Sequence, residues 1–166
     1  MGYFRTLFDY GYWARDRLFA AMEGLTEAEY TRPSGLSCGS LRAVLTHYLD
    51  TEYGWRCRLD GAPDEGILGE AQLPDLAALT ARWAAEEATM RTYLDALVDA
   101  HLIGEVTFTL KSGTKVSTPR WQILAHISNH SAQHRSEAAE ALTLAGRSPG
   151  DLDLMRYLLA GQAQVS

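Results

Sequence analysis

Cysteine is scarce in this chain. Only Cys38 and Cys57 occur among 166 residues, without CxxC spacing, so a disulfide framework is not expected. Uninterrupted apolar stretches are missing as well. No run approaches the about 18 residues that a membrane helix requires, and Arg5 and Asp9 interrupt the first ten residues where a secretory leader would be continuously apolar. A cytoplasmic, membrane-free protein is the expectation. There is no cluster of Lys and Arg, and the net charge is -6, which argues against a nucleic-acid partner held through its phosphates. The chain also lacks any ExxH, and this excludes both the HExxH zinc-protease arrangement and a carboxylate-rich di-iron bundle. No repeat or low-complexity tract stands out. What remains is an ordinary globular composition, 46% hydrophobic and 22% charged, sized for a single domain over residues 1–166.

Hydrophobic periodicity places four long helices. The first spans roughly residues 2 to 23, with Phe4, Leu7, Phe8, Leu18 and Met22 as its apolar set and Gly24 as its stop. Thr26 and Glu29 then form a capping box for a short turn. The second long helix starts behind a Ser40 N-cap and carries Leu41, Val44, Leu45, Tyr48, Trp55 and Leu59. The stretch GAPDEGILGEAQLP reads as a loop. Asp75 caps a third helix through about Leu97, built on Leu76, Leu79, Trp83, Met90, Leu94 and Leu97, with Arg82, Glu86 and Glu87 on a solvated face. EVTFTLKSGTKVST alternates Val106, Phe108 and Leu110 with polar residues and turns at Lys111-Ser112-Gly113, a hairpin pattern that must rest on the bundle and could cover one end of a pocket. The last long helix opens with Thr118 as hydroxyl N-cap and Pro119 as first helical residue, and stops at Gly146. A short tail helix follows Gly150 and packs through Leu152, Met155, Leu158 and Leu159.

The chemistry concentrates in the last long helix. His126, His130 and His134 recur every four residues in AHISNHSAQHRSE, a spacing that stacks imidazoles along one helix side. The apolar stripe through Ile123, Leu124, Ile127, Ala138, Ala141 and Leu142 is centred near His134, with His130 about 40° and His126 about 80° away. His130 and His134 are therefore the inward pair. Two imidazoles do not hold a transition metal, so a third ligand is needed. His101, in DAHLIGE, falls where a helix runs into a loop, and His47, inside the second long helix, is the better candidate. His47 lies about 110° from the middle of its own apolar stripe. It points inward only if that helix is packed between two neighbours, as a four-helix arrangement provides.

The segment TPRWQILAHISNHSAQHRSE resembles the last long helix of the DinB/YfiT-like metalloenzymes, whose signature there is approximately HxxNHxxHHRGQ. GSLRAVLTHYLDTEYGW is similar to the family's second, histidine-bearing helix, and FDYGYWARDRLFAAMEGL to its opening YNxWANxxL helix. The resemblance implies an all-α, up-and-down-type four-helix bundle, here with short extra helices and a small β-hairpin before the last long helix. It also implies a divalent metal on His47, His130 and His134. Gln133 stands where the family often has another histidine, and Ser136-Glu137 replaces the usual Gly-Gln.

Glu137, three residues beyond His134, is either an exposed helix glutamate or a group that orients a ligand or acts on bound water. Arg135 is a second candidate for a pocket, and Tyr10, Trp13 and Tyr48 are expected chiefly as packing rings. Cys38 precedes the His47 helix and is expected to be an inert thiol. Three neutral imidazoles on zinc or nickel would leave open positions for water or a thiol. The resemblance implies thiol transfer as the nearest analogy, because relatives include metal-dependent transferases and an isomerase that use bacterial low-molecular-weight thiols. The expectation is a metal-dependent enzyme acting on a small molecule with a thiol cosubstrate or water. The alternative is a non-catalytic bundle stabilised by its metal, or a homodimer that binds a small apolar ligand.

Overall fold

The computed structural model describes residues 1–62, 68–110 and 112–163. Its long helices are α1 (Gly2–Ala21), α3 (Leu41–Asp60), α4 (Leu76–Asp95) and α5 (Arg120–Leu144); α2 (Glu27–Tyr30) and α6 (Leu154–Ala163) are short. A 3₁₀ turn, Asp99–Ile103, leads into an antiparallel hairpin of β1 (Glu105–Thr109) and β2 (Lys115–Pro119). Among the described residues no helix is long and apolar enough to cross a membrane. α5 packs against both α1 and α3, and α4 closes the bundle on the far side of those two helices.

The helix ends follow from local chemistry. Ser40 accepts a hydrogen bond from Ala43 N at 3.0 Å and Asp75 one from Ala78 N at 2.7 Å, each satisfying an orphan amide of a first turn. The Thr26–Glu29 capping box forms. Gly61, at φ +65°, ends α3 in the left-handed region that other residues enter at a cost. The start of α5 differs from the sequence expectation. β2 continues through Pro119 and pairs Thr118 with Val106, so Pro119 takes the N-cap position and the Thr118 hydroxyl bonds the Gln122 side chain instead of capping the helix. The strand claims residues that the helix pattern alone assigned to α5. Of the expected turn, Lys111 lies outside the described residues, as do positions 63–67 of the preceding long connection.

Two apolar clusters fill the bundle. One gathers Phe4, Phe8, Tyr12, Met90, Leu94, Ile123, Leu124 and Ile127 with Val106 of the hairpin; the other gathers Leu18, Leu45, Tyr48, Leu49, Leu79, Trp83, Ala138 and Leu142. Along every long helix the residues between the clusters are polar yet buried: Arg15, Glu52, Arg56, Glu86, Ser131, His134 and Arg135. A polar layer thus crosses the bundle at mid-height. Glu86 corrects the sequence reading, because it is only 1% exposed and receives the Arg56 guanidinium through Nε and, at 3.1 Å, Nη2. Glu87 joins Arg15 at 2.6 Å and Arg91 at 2.8 Å, so it too serves the interior edge of α4 and not only its solvated face. The tail helix also departs from expectation, since Met155 and Leu159 face outward while Tyr157 packs on Tyr10 and Trp13.

Glu52 is fully enclosed and accepts the Tyr12 hydroxyl at 2.6 Å. Burial pushes its carboxyl from 4.5 up to about 7, with Glu86 adding repulsion and the Tyr12 hydrogen bond opposing the rise. A carboxyl with a raised folded-state pKa binds its proton more tightly in the native protein, so stability falls as pH rises through that window. Glu52→Gln keeps a neutral acceptor for Tyr12. The melting-temperature difference between this variant and the wild type should grow in favour of glutamine from about pH 5 to about pH 8. A difference that stays flat across those pH values would contradict the buried titration.

Candidate metal centre

α3 and α5 are the most closely packed helix pair, and their shared outer edge brings His47 together with His130 and His134. One ligand-capable atom from each of the three lies within 4.8 Å of the others. His130 Nε2 and His134 Nε2 are 3.1 Å apart, and the His47 ring centroid is 5.0 and 4.9 Å from the two rings of α5. Tetrahedral zinc with nitrogen at about 2.0–2.1 Å sets its ligands roughly 3.3 Å apart, so the α5 pair already has coordination spacing and His47 needs to close by at most about 1.5 Å. Among the described residues no fourth His, Cys, Asp or Glu donor falls within the same distance of all three.

The three rings differ in exposure. His134 is buried in the polar layer, His130 is half-buried, and His47 is exposed. The site is therefore a notch on the bundle flank and not an interior cavity. α3 packs against both α5 and α4, the two-neighbour arrangement expected of it, yet the His47 ring meets its partners without pointing into the interior. His47 reaches the other two across the seam between α3 and α5 while remaining open to solvent.

Protonation suits ligation. Burial lowers the His130 pKa to about 4, helped by the neighbouring His134, His47 and His126, and burial followed by His134 lowers that of His47. Both present neutral imidazoles at neutral pH. Glu137 accepts from His134 Nδ1 at 2.8 Å, which turns Nε2 toward the cluster. It also accepts from Ser37 N at 2.9 Å and Ser37 Oγ at 2.8 Å. Burial acts to raise the Glu137 carboxyl, but these hydrogen bonds outweigh it and hold the group below its ordinary value. Of the two readings of Glu137, the geometry favours the one in which it orients a ring. The anchoring role of Ser37 had no sequence signal, because it acts across 100 residues of chain.

The remaining candidates fall outside the cluster. His126 stands one turn away, its centroid 5.7 Å from His130 and 5.1 Å from Trp55. Trp55 in turn meets Phe108 of the hairpin at 5.1 Å, with the Arg58 guanidinium 4.8 Å from the Trp55 ring. An aromatic wall thus joins the hairpin to the histidines and bounds the notch on one side. His101 lies on the 3₁₀ turn, where its Nδ1 accepts from Val98 N at 3.2 Å. Arg135 turns toward α1 and bonds the Tyr48 hydroxyl at 3.2 Å, away from the rings that its chain neighbour His134 joins. Tyr48 packs on Trp83 at 4.5 Å, and Tyr10 and Trp13 pack on each other. Of the two cysteines, Cys57 is buried and Cys38 half-buried beside Ser37.

No curated protein matches the chain. The model of the DinB family matches it over residues 1–164, almost its whole length, and with the bundle and the three gathered histidines this establishes that the chain belongs to the DinB family.

Proposed function

We propose that this protein is a metal-dependent enzyme in which His47, His130 and His134 hold one divalent ion, zinc or nickel, for chemistry on a small molecule with a low-molecular-weight thiol or water. The observation that carries the reading is the donor set: three imidazoles, one of them exposed, with no fourth donor among the described residues. Imidazole suits zinc and nickel, and three-ligand sites that keep a position open are the catalytic kind. A bound ion would supply Lewis acidity, lowering the pKa of a thiol or water presented to it.

The chain's own residues prepare that event. Glu137, held by Ser37, fixes the His134 ring so that Nε2 faces the notch. Phe108, Trp55 and His126 stand in a row beside His130, and the exposed flank at His47 leaves a path for an incoming molecule. Thiol use is the finer part of the proposal and rests on the family resemblance.

Cobalt substitution tests it. Addition of 2-mercaptoethanol to the cobalt-loaded protein should produce a sulfur-to-cobalt charge-transfer band that is lost in His130→Ala. A spectrum unmoved by thiol and by small anions would instead indicate a closed site whose metal only stabilises the bundle. Glu137→Gln should weaken metal binding about 10- to 100-fold, measured by competition with a chromophoric chelator, because the His134 ring loses its charged partner. Unchanged affinity would return Glu137 to the role of a surface residue.

A further inference from the structure

On the other face of α5, away from the histidines, a groove of about 250 Å³ opens between Phe4, Leu7 and Tyr10 of α1 and Ala125, Ala132 and Arg135 of α5. Its walls are largely apolar, and Arg135 brings a fixed positive charge to it. Arg135 is only 4% exposed, yet its partners among the described residues are the neutral side chains of Tyr48 and Tyr10; its Cζ lies 4.9 Å from the Tyr10 ring centroid. The other buried arginines of the polar layer are paired differently: Arg15 has Asp16 and Glu87, and Arg56 has Glu86. Glu52 and Arg135 both line a smaller neighbouring cavity, but Glu52 forms no ion pair with Arg135, and one of its oxygens accepts the Tyr12 hydroxyl. A guanidinium withdrawn from water without a carboxylate partner is costly, and an incoming anion that accepts its N–H donors in two parallel bonds recovers much of that cost.

We propose that this groove is a binding site for a small monocarboxylate with an apolar body, separate from the histidine centre. The carboxylate would meet Arg135, with the exposed Asn129 amide at the groove wall as a further donor, and the hydrocarbon would lie on Phe4, Leu7, Ala125 and Ala132. The size is slightly below that of typical drug-sized pockets, which favours a short acid over a long acyl chain.

Calorimetric titration with hexanoate and its neutral counterpart hexanamide tests the proposal on the intact chain. Hexanoate should bind about 10- to 100-fold more tightly than hexanamide, the difference expected for hydrogen bonds to a charged group. Arg135→Met should remove that preference. Ala132→Phe, which fills the groove from an exposed position and leaves the buried layer untouched, should weaken both compounds. Chelation of metal should leave hexanoate binding unchanged, so failure here and failure of the metal reading are separable. Equal affinity for acid and amide would overturn the proposal. So would hexanoate binding that survives Ala132→Phe but disappears on chelation, which would place the acid at the histidines. A third contrary outcome is absent hexanoate binding together with a wild-type dimer that Ala132→Phe converts to monomer, which would make the groove an interface between copies of the chain.

Discussion

His134→Ala is expected to lose its metal when purified protein is loaded with zinc, desalted and analysed for metal content, with affinity reduced beyond the about 100-fold that loss of an outer partner costs. His134 is the buried member of the cluster, pre-oriented by Glu137 and already 3.1 Å from His130, so its removal takes both a donor and the fixed point around which the others gather. His47→Ala should lose metal as well. His126→Ala and His101→Ala should retain it, since His126 lies one turn off the cluster and His101 sits on the 3₁₀ turn. Circular dichroism of each variant separates metal loss from unfolding. Full occupancy in His134→Ala, or equal loss in His126→Ala, would contradict the assignment.

The largest stability effect is expected from Glu86→Ala. Removing this carboxylate leaves Arg56, which is nearly as buried as its partner, with weaker contacts: Asp60 at 3.5 Å, the Cys57 sulfur at 3.9 Å and the Tyr53 ring at 5.6 Å. An uncompensated buried charge costs about 3–5 kcal/mol, a fall of roughly 6 to 20 °C in melting temperature for a domain of this size. Replacing both residues by apolar ones, Arg56→Met with Glu86→Leu, should restore most of the loss, because the pair is worth little against well-packed hydrophobic side chains. A single variant no less stable than wild type would show that Arg56 finds water or another acid when Glu86 is gone.

Glu86 also shows where sequence reasoning reached its limit. Leu79, Trp83, Met90 and Leu94 mark the inward stripe of α4, and Glu86 falls on that stripe in the gap between Trp83 and Met90. The sequence reading put it with Arg82 and Glu87 on a solvated face, because a charge is stable on the stripe only when a residue of a distant helix answers it, and the pattern of one helix does not show that residue. Arg56 does so from 30 residues away. The same reason hid the Ser37 clamp on Glu137. By contrast, the four long helices, the hairpin and the Ser40 and Asp75 caps were legible, because periodicity, turn chemistry and capping are local. His130 and His134 were legible as a pair since four residues return a helix nearly to the same face. His47 was harder, because its angle on α3 required two neighbouring helices to bring it inward; α5 and α4 do flank α3, and the ring meets its two partners at an exposed seam. Thr118 misled for a local reason, as the same residues suit a helix cap and the end of a strand, and the pairing with Val106 decided between them.

Coordination by three histidines is read out by X-ray absorption of the zinc- or nickel-loaded protein. About three imidazole nitrogens near 2.0–2.1 Å are expected, with remaining oxygen scatterers that are displaced by sulfur near 2.3 Å once thiol is added. A spectrum with fewer than three imidazoles, or one already filled by sulfur or a fourth protein ligand before any thiol is present, would contradict that expectation.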